Sequence, residues 1–201
     1  MNQFAKVKGP KTYKRMLWKN GLGETLEIER FDDAKGLAYR ISQAAVVEDG
    51  VFSDFSGLHR TLVLISGTGL VLTHSDSEQH ELVRLLDMAK FSGGEVTQAK
   101  LHHGAIEDLN IMVREDDYLA EVSPMLPLSE YRWCASENTV YVGIYAVSQC
   151  AFRSLSSQTE LDLEAGAMLK FDVTDSINLI WLSGQAVLIK IVETPQIEAL
   201  S

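Results

Sequence analysis

Cysteine is nearly absent from this chain: Cys134 and Cys150 are the only two in 201 residues. That is too few for the disulfide framework that holds small secreted domains together. No basic-then-apolar leader precedes a small-residue cleavage site, so the pair reads as reduced, buried thiols in a cytoplasmic protein, with a redox pair as the alternative. Membrane-length apolar runs are missing too, the longest greasy stretch, around Leu62 to Ile65, being strand-sized. Basic charge is in deficit. A formal net charge of -10 argues against nucleic acid or an anionic membrane surface as partner. A basic pocket inside an acidic protein stays open, beside the plain reading that the charge keeps the chain soluble.

Helical periodicity is scarce as well. Short helical turns are expected only around Leu126 to Cys134, after Pro124 and Pro127, and at Gln196 to Leu200. What the chain has is strands and turns. Leu62–Ser66 and Leu70–Thr73 flank Gly67-Thr68-Gly69, which predicts a glycine-bearing hairpin. Further strands are expected at 109–113, 139–147, 168–173, 179–182 and 186–192. Many short strands between regular turns indicate an all-β sandwich or barrel. A weak repeat sharpens this reading. Leu86-Asp87-Met88 leads to a glycine turn and then Leu109-Asn110-Ile111, and Leu161-Asp162-Leu163 leads to Gly166 and then Ile177-Asn178-Leu179. Two jelly-roll-like β units in one compact body would give this order, one over residues 1–125 and one over 126–201, with strands free to cross between them.

The densest functional signal is Trp18-Lys19-Asn20-Gly21-Leu22-Gly23-Glu24-Thr25-Leu26-Glu27-Ile28. Asn20-Gly21 signals a tight turn, and the alternation after it puts Thr25 and Glu27 on one strand face, Leu26 and Ile28 on the other. Tyr39-Arg40-Ile41-Ser42 follows, then Asp49-Gly50-Val51-Phe52-Ser53-Asp54-Phe55-Ser56-Gly57-Leu58-His59-Arg60, Phe91-Ser92-Gly93-Gly94-Glu95, and Asp108 to Arg114. In order and spacing these resemble the HutD/Ves family pattern W-K-N-G-x-G-x-T-x-E-I, W-R-I-S, D-G-x-F-S-x-F-x-G-x-x-R, F-x-G-D and D-x-N-x-M, over roughly residues 15 to 115. Tyr39 stands where the pattern has Trp, and Glu95 where it has Asp; both keep the chemical character. The resemblance implies a bicupin fold and a place in histidine utilisation, as a governor sensing an intermediate such as urocanate or formylglutamate. Ves members are named instead for a stress response.

Cupin enzymes hold a metal with an H-x-H pair, a Glu and a later His, because residues i and i+2 of a strand share a face. The histidines here are His59, His74, His80, His102 and His103, and none forms H-x-H. His59, His102 and Glu107 are the one unorthodox metal set left to test, and no cofactor is expected. Neither cysteine lies in a catalytic motif, and Ser53 lacks the nucleophile elbow. Asn20-Gly21-Leu22-Gly23 and Gly67-Thr68-Gly69 lack the helix start of a phosphate loop.

Arginine is the better lead. An Arg inside a small barrel needs a partner. Arg40 and Arg60 either pair with Glu27 or Asp108, or grip a ligand carboxylate bidentately. Asp108 and Asn110, two apart, share a face; Lys19, Asn20, Thr25 and Glu27 add donors and acceptors, and Ser42 and Ser53 add hydroxyls. Trp18, Tyr39 and Phe52 are candidate walls. The expected site is therefore Trp18, Lys19, Asn20, Thr25, Glu27, Arg40, Ser42, Phe52, Ser53, Arg60, Asp108 and Asn110. Convergent polar groups without a nucleophile bind, and the expected ligand is a small anionic metabolite. The rival is a metal-dependent cupin isomerase or dioxygenase. A protein partner in the pathway is compatible with the binding reading, and a homodimer is left open.

Overall fold

The computed structural model describes residues 5–18, 24–75, 78–134 and 136–195. Among them are nineteen strands and one 3-10 turn, Pro10–Thr12. No helix is long and apolar enough to cross a membrane among the described residues. The chain divides into two units, Tyr13–Tyr118 and a second built from Met1–Thr12 with Leu119–Ser201.

In the first unit a six-stranded sheet runs in the order Lys14–Leu17, Glu24–Asp33, Gly36–Val46, Ile106–Arg114, Leu58–Ser66, Met88–Ser92. A four-stranded sheet runs Gly50–Val51, Thr97–Leu101, Leu70–His74, Gln79–Leu82. The second unit repeats this topology. Tyr118–Met125, Ala186–Glu193, Thr139–Ala146 and Met168–Phe171 form one sheet, and Ser129–Trp133, Ile177–Ser183, Cys150–Ser154 and Glu160–Leu163 the other. Taking each unit's eight shared strands in chain order, both units have sheets 1-8-3-6 and 2-7-4-5, the order of a jelly roll. The N-terminal strand Ala5–Lys8 crosses over to add an edge beside Met168–Phe171.

Three local expectations change. Leu58–Ser66 and Leu70–His74 do not pair with each other: the glycine turn carries the chain from one sheet to the other. Gly67 and Gly69 have φ of 95° and 108°, and a Cβ at Gly69 would sit 2.3 Å from the Leu82 carbonyl oxygen, so only glycine fits there. The expected helical turn after Pro127 is the strand Ser129–Trp133; residues 196–200 lie outside the described part. The repeat is real but its phase differs. The eighth strand, Ile106–Arg114, corresponds to Ala186–Glu193, and Ile177–Ser183 is a seventh strand matching Thr97–Leu101. Any apolar strand with a second-position Asn looks alike in sequence, whereas strand order separates them.

Burial of apolar side chains between sheets builds each core. Leu62, Leu64, Leu70, Leu72, Phe91 and Ile106 cluster in the first unit. In the second, Val142, Ile144, Phe152 and Trp181 cluster, with the last two rings stacked at 5.7 Å. Leu58–Ser66 is buried on both faces, which explains its unbroken apolar run.

Candidate functional site

Three adjacent strands of the six-stranded sheet set the site. Antiparallel pairing places Asn110 opposite Ser42 and Met112 opposite Arg40 on one side, and Met112 opposite Arg60 on the other. Because side chains alternate, Arg40 and Ser42, Asp108 and Asn110, and Arg60 all project from one face. They line a cavity of about 610 Å³, within the usual range of small-molecule sites. Trp18, Thr25, Phe52 and Ser53 line it as well. Trp18 Nε1 donates to Thr25 Oγ1 at 2.9 Å, which sets the indole against the wall.

The two arginines have different surroundings. Arg40 Nε lies 3.0 Å from Glu27 Oε2, an ion pair rather than an aligned hydrogen bond. Glu27 does not line the cavity itself; it reaches the site through Arg40. A register shift between Glu27 and Glu29 in the Glu24–Asp33 strand accompanies this placement. Arg60 is 4% exposed, and no carboxylate among the described residues lies within salt-bridge distance. Its Nη2 donates to Asn110 Oδ1 at 2.7 Å, and its Nε has no hydrogen-bond partner. Three rings surround its guanidinium: Phe91 at 5.0 Å, Phe52 at 5.2 Å and Phe55 at 5.3 Å. Such contacts hold a desolvated cation without neutralising it.

Asn110 links Arg60 to the cavity's buried acid, its Nδ2 donating to Asp108 Oδ1. Burial pushes the Asp108 carboxyl up to about 7, although the Arg60 charge pulls the other way. Burial also brings Arg60 down to about 10, leaving it charged at neutral pH. Burial lowers Arg40 too, with Glu27 opposing. The floor therefore presents a charged guanidinium with no carboxylate within salt-bridge distance among the described residues, linked through Asn110 to a carboxyl whose burial favours its protonated form. Such a combination suits an anionic group, to which a protonated carboxyl can donate a hydrogen bond.

Lys19 and Asn20 lie outside the described residues. Tyr39 is not a wall: period two turns it to the opposite face from Arg40, where its ring stacks on Phe31 at 5.5 Å. Phe55 and Phe91 flank Arg60 as well, beyond the residues the sequence points to. Phe55 was legible, three residues after Phe52 in the same motif; Phe91 reaches Arg60 only through tertiary pairing, opposite it in the sheet. The unorthodox metal set does not assemble. His59 pairs opposite Val113 and Glu107 opposite Ser66, at opposite ends of one ladder, while His102 Nε2 lies 3.3 Å from Glu81. Among the described residues no three His, Cys, Asp or Glu side chains gather into a ligand set.

The chain is 38% identical over 108 residues to Protein Ves of Escherichia fergusonii, covering 53% of this chain and 56% of that one. It is 37% identical over 113 residues to an uncharacterized 21.2 kDa protein in the hutC 3' region of Pseudomonas putida, covering 55% and 58%. The chain thus spans a little over half the length of these curated relatives. The solved structure of HutD from Pseudomonas fluorescens SBW25 is similar over 95% of this chain and 100% of that one, at 27% identity and a TM-score of 0.80. The HutD family model matches residues 10–189, nearly the whole chain. This protein belongs to the HutD family.

Proposed function

We propose that this protein binds a small anionic metabolite in the Arg60 cavity without transforming it, and serves as a sensor or governor of histidine utilisation. The observation that carries the reading is Arg60: a charged, buried guanidinium, caged by rings, with Nε unpartnered and no carboxylate within salt-bridge distance among the described residues. A buried charge of this kind is costly unless something pairs with it. A ligand carboxylate supplies that partner, and the Asp108 carboxyl and Ser42 hydroxyl beside it suit a second polar group. Histidine utilisation enters through the relatives, one a HutD and one encoded in a hutC 3' region; urocanate and formylglutamate-like acids are the candidate ligands. A cytoplasmic location fits Cys134 and Cys150, which are both free thiols, Cys150 buried as expected but Cys134 exposed.

Calorimetric titration with formylglutamate, urocanate and glutamate tests the reading. At least one should bind, and truncating a charge-assisted, desolvated pair should cost about 2–5 kcal/mol. Arg60→Lys should weaken binding by roughly thirtyfold or more, since an ammonium lacks the planar fork. Binding of the same acid to Arg60→Lys at parental affinity would overturn the carboxylate-clamp role. Failure of every acid to bind would overturn the anion reading.

A further inference from the structure

We infer that the second unit carries a separate site for a small organic ammonium ion with an apolar body. The strands Cys150–Ser154, Met168–Phe171 and Ile177–Ser183 border a cavity of about 250 Å³. This is smaller than a drug-sized site, which limits the ligand to a one-ring or short branched molecule. Phe152, Leu169, Phe171 and Ile177 give it an apolar wall. Phe152 is held rigid by its stack on Trp181.

One corner is polar, and Asp175 is the one charged residue among those that line the cavity, beside the hydroxyls of Ser154, Ser156 and Ser176. Asp175 lies in the turn before Ile177–Ser183, and Asn178 is that strand's second residue; both line the cavity. Asp175 Oδ2 and Asn178 Oδ1 are buried atoms without a hydrogen-bond partner. Local turn chemistry does not explain them. Asp172 Oδ1 already caps that turn, accepting from Thr174 N at 3.0 Å and Thr174 Oγ1 at 2.7 Å. Two buried acceptors left unpaired cost free energy that a donor would recover. An anion would be repelled by Asp175, and an apolar molecule would leave both oxygens as they are. No Lys, Arg or His is among the lining residues. An ammonium ion brings several N–H donors to this corner, and the aromatic residues Phe152 and Phe171 line the same cavity. This site stands independently of the Arg60 cavity, which takes the opposite charge.

Benzylammonium is the probe, with benzyl alcohol and benzoate as its neutral and anionic counterparts, titrated into the full chain and followed by two-dimensional NMR. Saturable benzylammonium binding is expected, with shifts at Ile177 and Leu179, and binding at least about tenfold tighter than either counterpart. Asp175→Asn should remove most of that preference. Asp162→Asn, an exposed carboxylate outside the cavity, should leave it unchanged. The comparison among the three probes needs no variant, so it stands even if Asp175→Asn folds poorly. Absence of saturation, equal binding of the alcohol or benzoate, or an Asp175→Asn variant with undiminished preference would each overturn the assignment.

Discussion

A carboxyl buried at the floor of the Arg60 cavity should make this protein lose stability as pH rises from 4 to 7. In the unfolded chain Asp108 releases its proton near 3.8; in the folded protein it holds it to about 7. Between those values the folded state binds more protons than the unfolded one, so the free energy of unfolding falls as pH rises. Above about pH 7 both states are ionised at this position and the slope ends. At about 1.4 kcal/mol per pK unit, the full window is worth on the order of 4 kcal/mol. Other groups act elsewhere or oppose it. Asp33 and Asp117 are held below their ordinary range, first by hydrogen bonds from Arg114 and Lys35 respectively, so their contribution is lost only as pH falls below about 4. His59 is lowered by burial, and gives a rising slope just under 6.5. The informative quantity is therefore the difference between the parent and Asp108→Asn, measured by urea unfolding at intervals from pH 4 to 8. The replacement carboxamide still accepts from Asn110 and has no proton to lose. The two proteins should be closely matched at pH 4, and the variant more stable by a few kcal/mol at pH 8. Retention of a destabilising acid is what a binding site requires, not what a core requires. Parallel pH profiles for the two proteins would refute the argument.

Two further perturbations probe the supports of the site. Glu27→Gln removes the carboxylate beside Arg40, where both side chains are 11% exposed. It should cost about 1–3 kcal/mol in urea unfolding, less than the roughly 3–5 of a fully buried pair, while raising affinity for the anion that binds at Arg60; unchanged stability would mean the pair contributes nothing. Gly93→Ala would put a Cβ 2.6 Å from the Phe55 carbonyl oxygen and 2.8 Å from that of Leu58. It should push Phe55 off the Arg60 guanidinium, lowering stability by about 1–3 kcal/mol in thermal unfolding and weakening anion binding; a variant that melts with the parent would show that this segment yields freely.

The sequence by itself determined the strand content, the turn at Gly67-Thr68-Gly69 and the side-by-side placement of Asp108 and Asn110, because alternation and positive φ are properties of a few neighbouring residues. It also brought out Arg40, Arg60, Ser42 and Phe52 as one constellation, since motif spacing and strand period put polar groups on a common face. Only the tertiary structure decided which arginine is neutralised. Glu27 reaches Arg40 across a register shift, while Asn110 stands between Arg60 and Asp108. It likewise decided that the glycine turn changes sheets, that Ala5–Lys8 joins the second unit and that Phe91 caps Arg60. Pairing partners depend on chain that is distant in sequence, and no local pattern encodes them. The charge state of Asp108 belongs to the same class: an aspartate's identity sets its intrinsic acidity, but the depth of burial that holds its proton exists only once the sheets have closed around it.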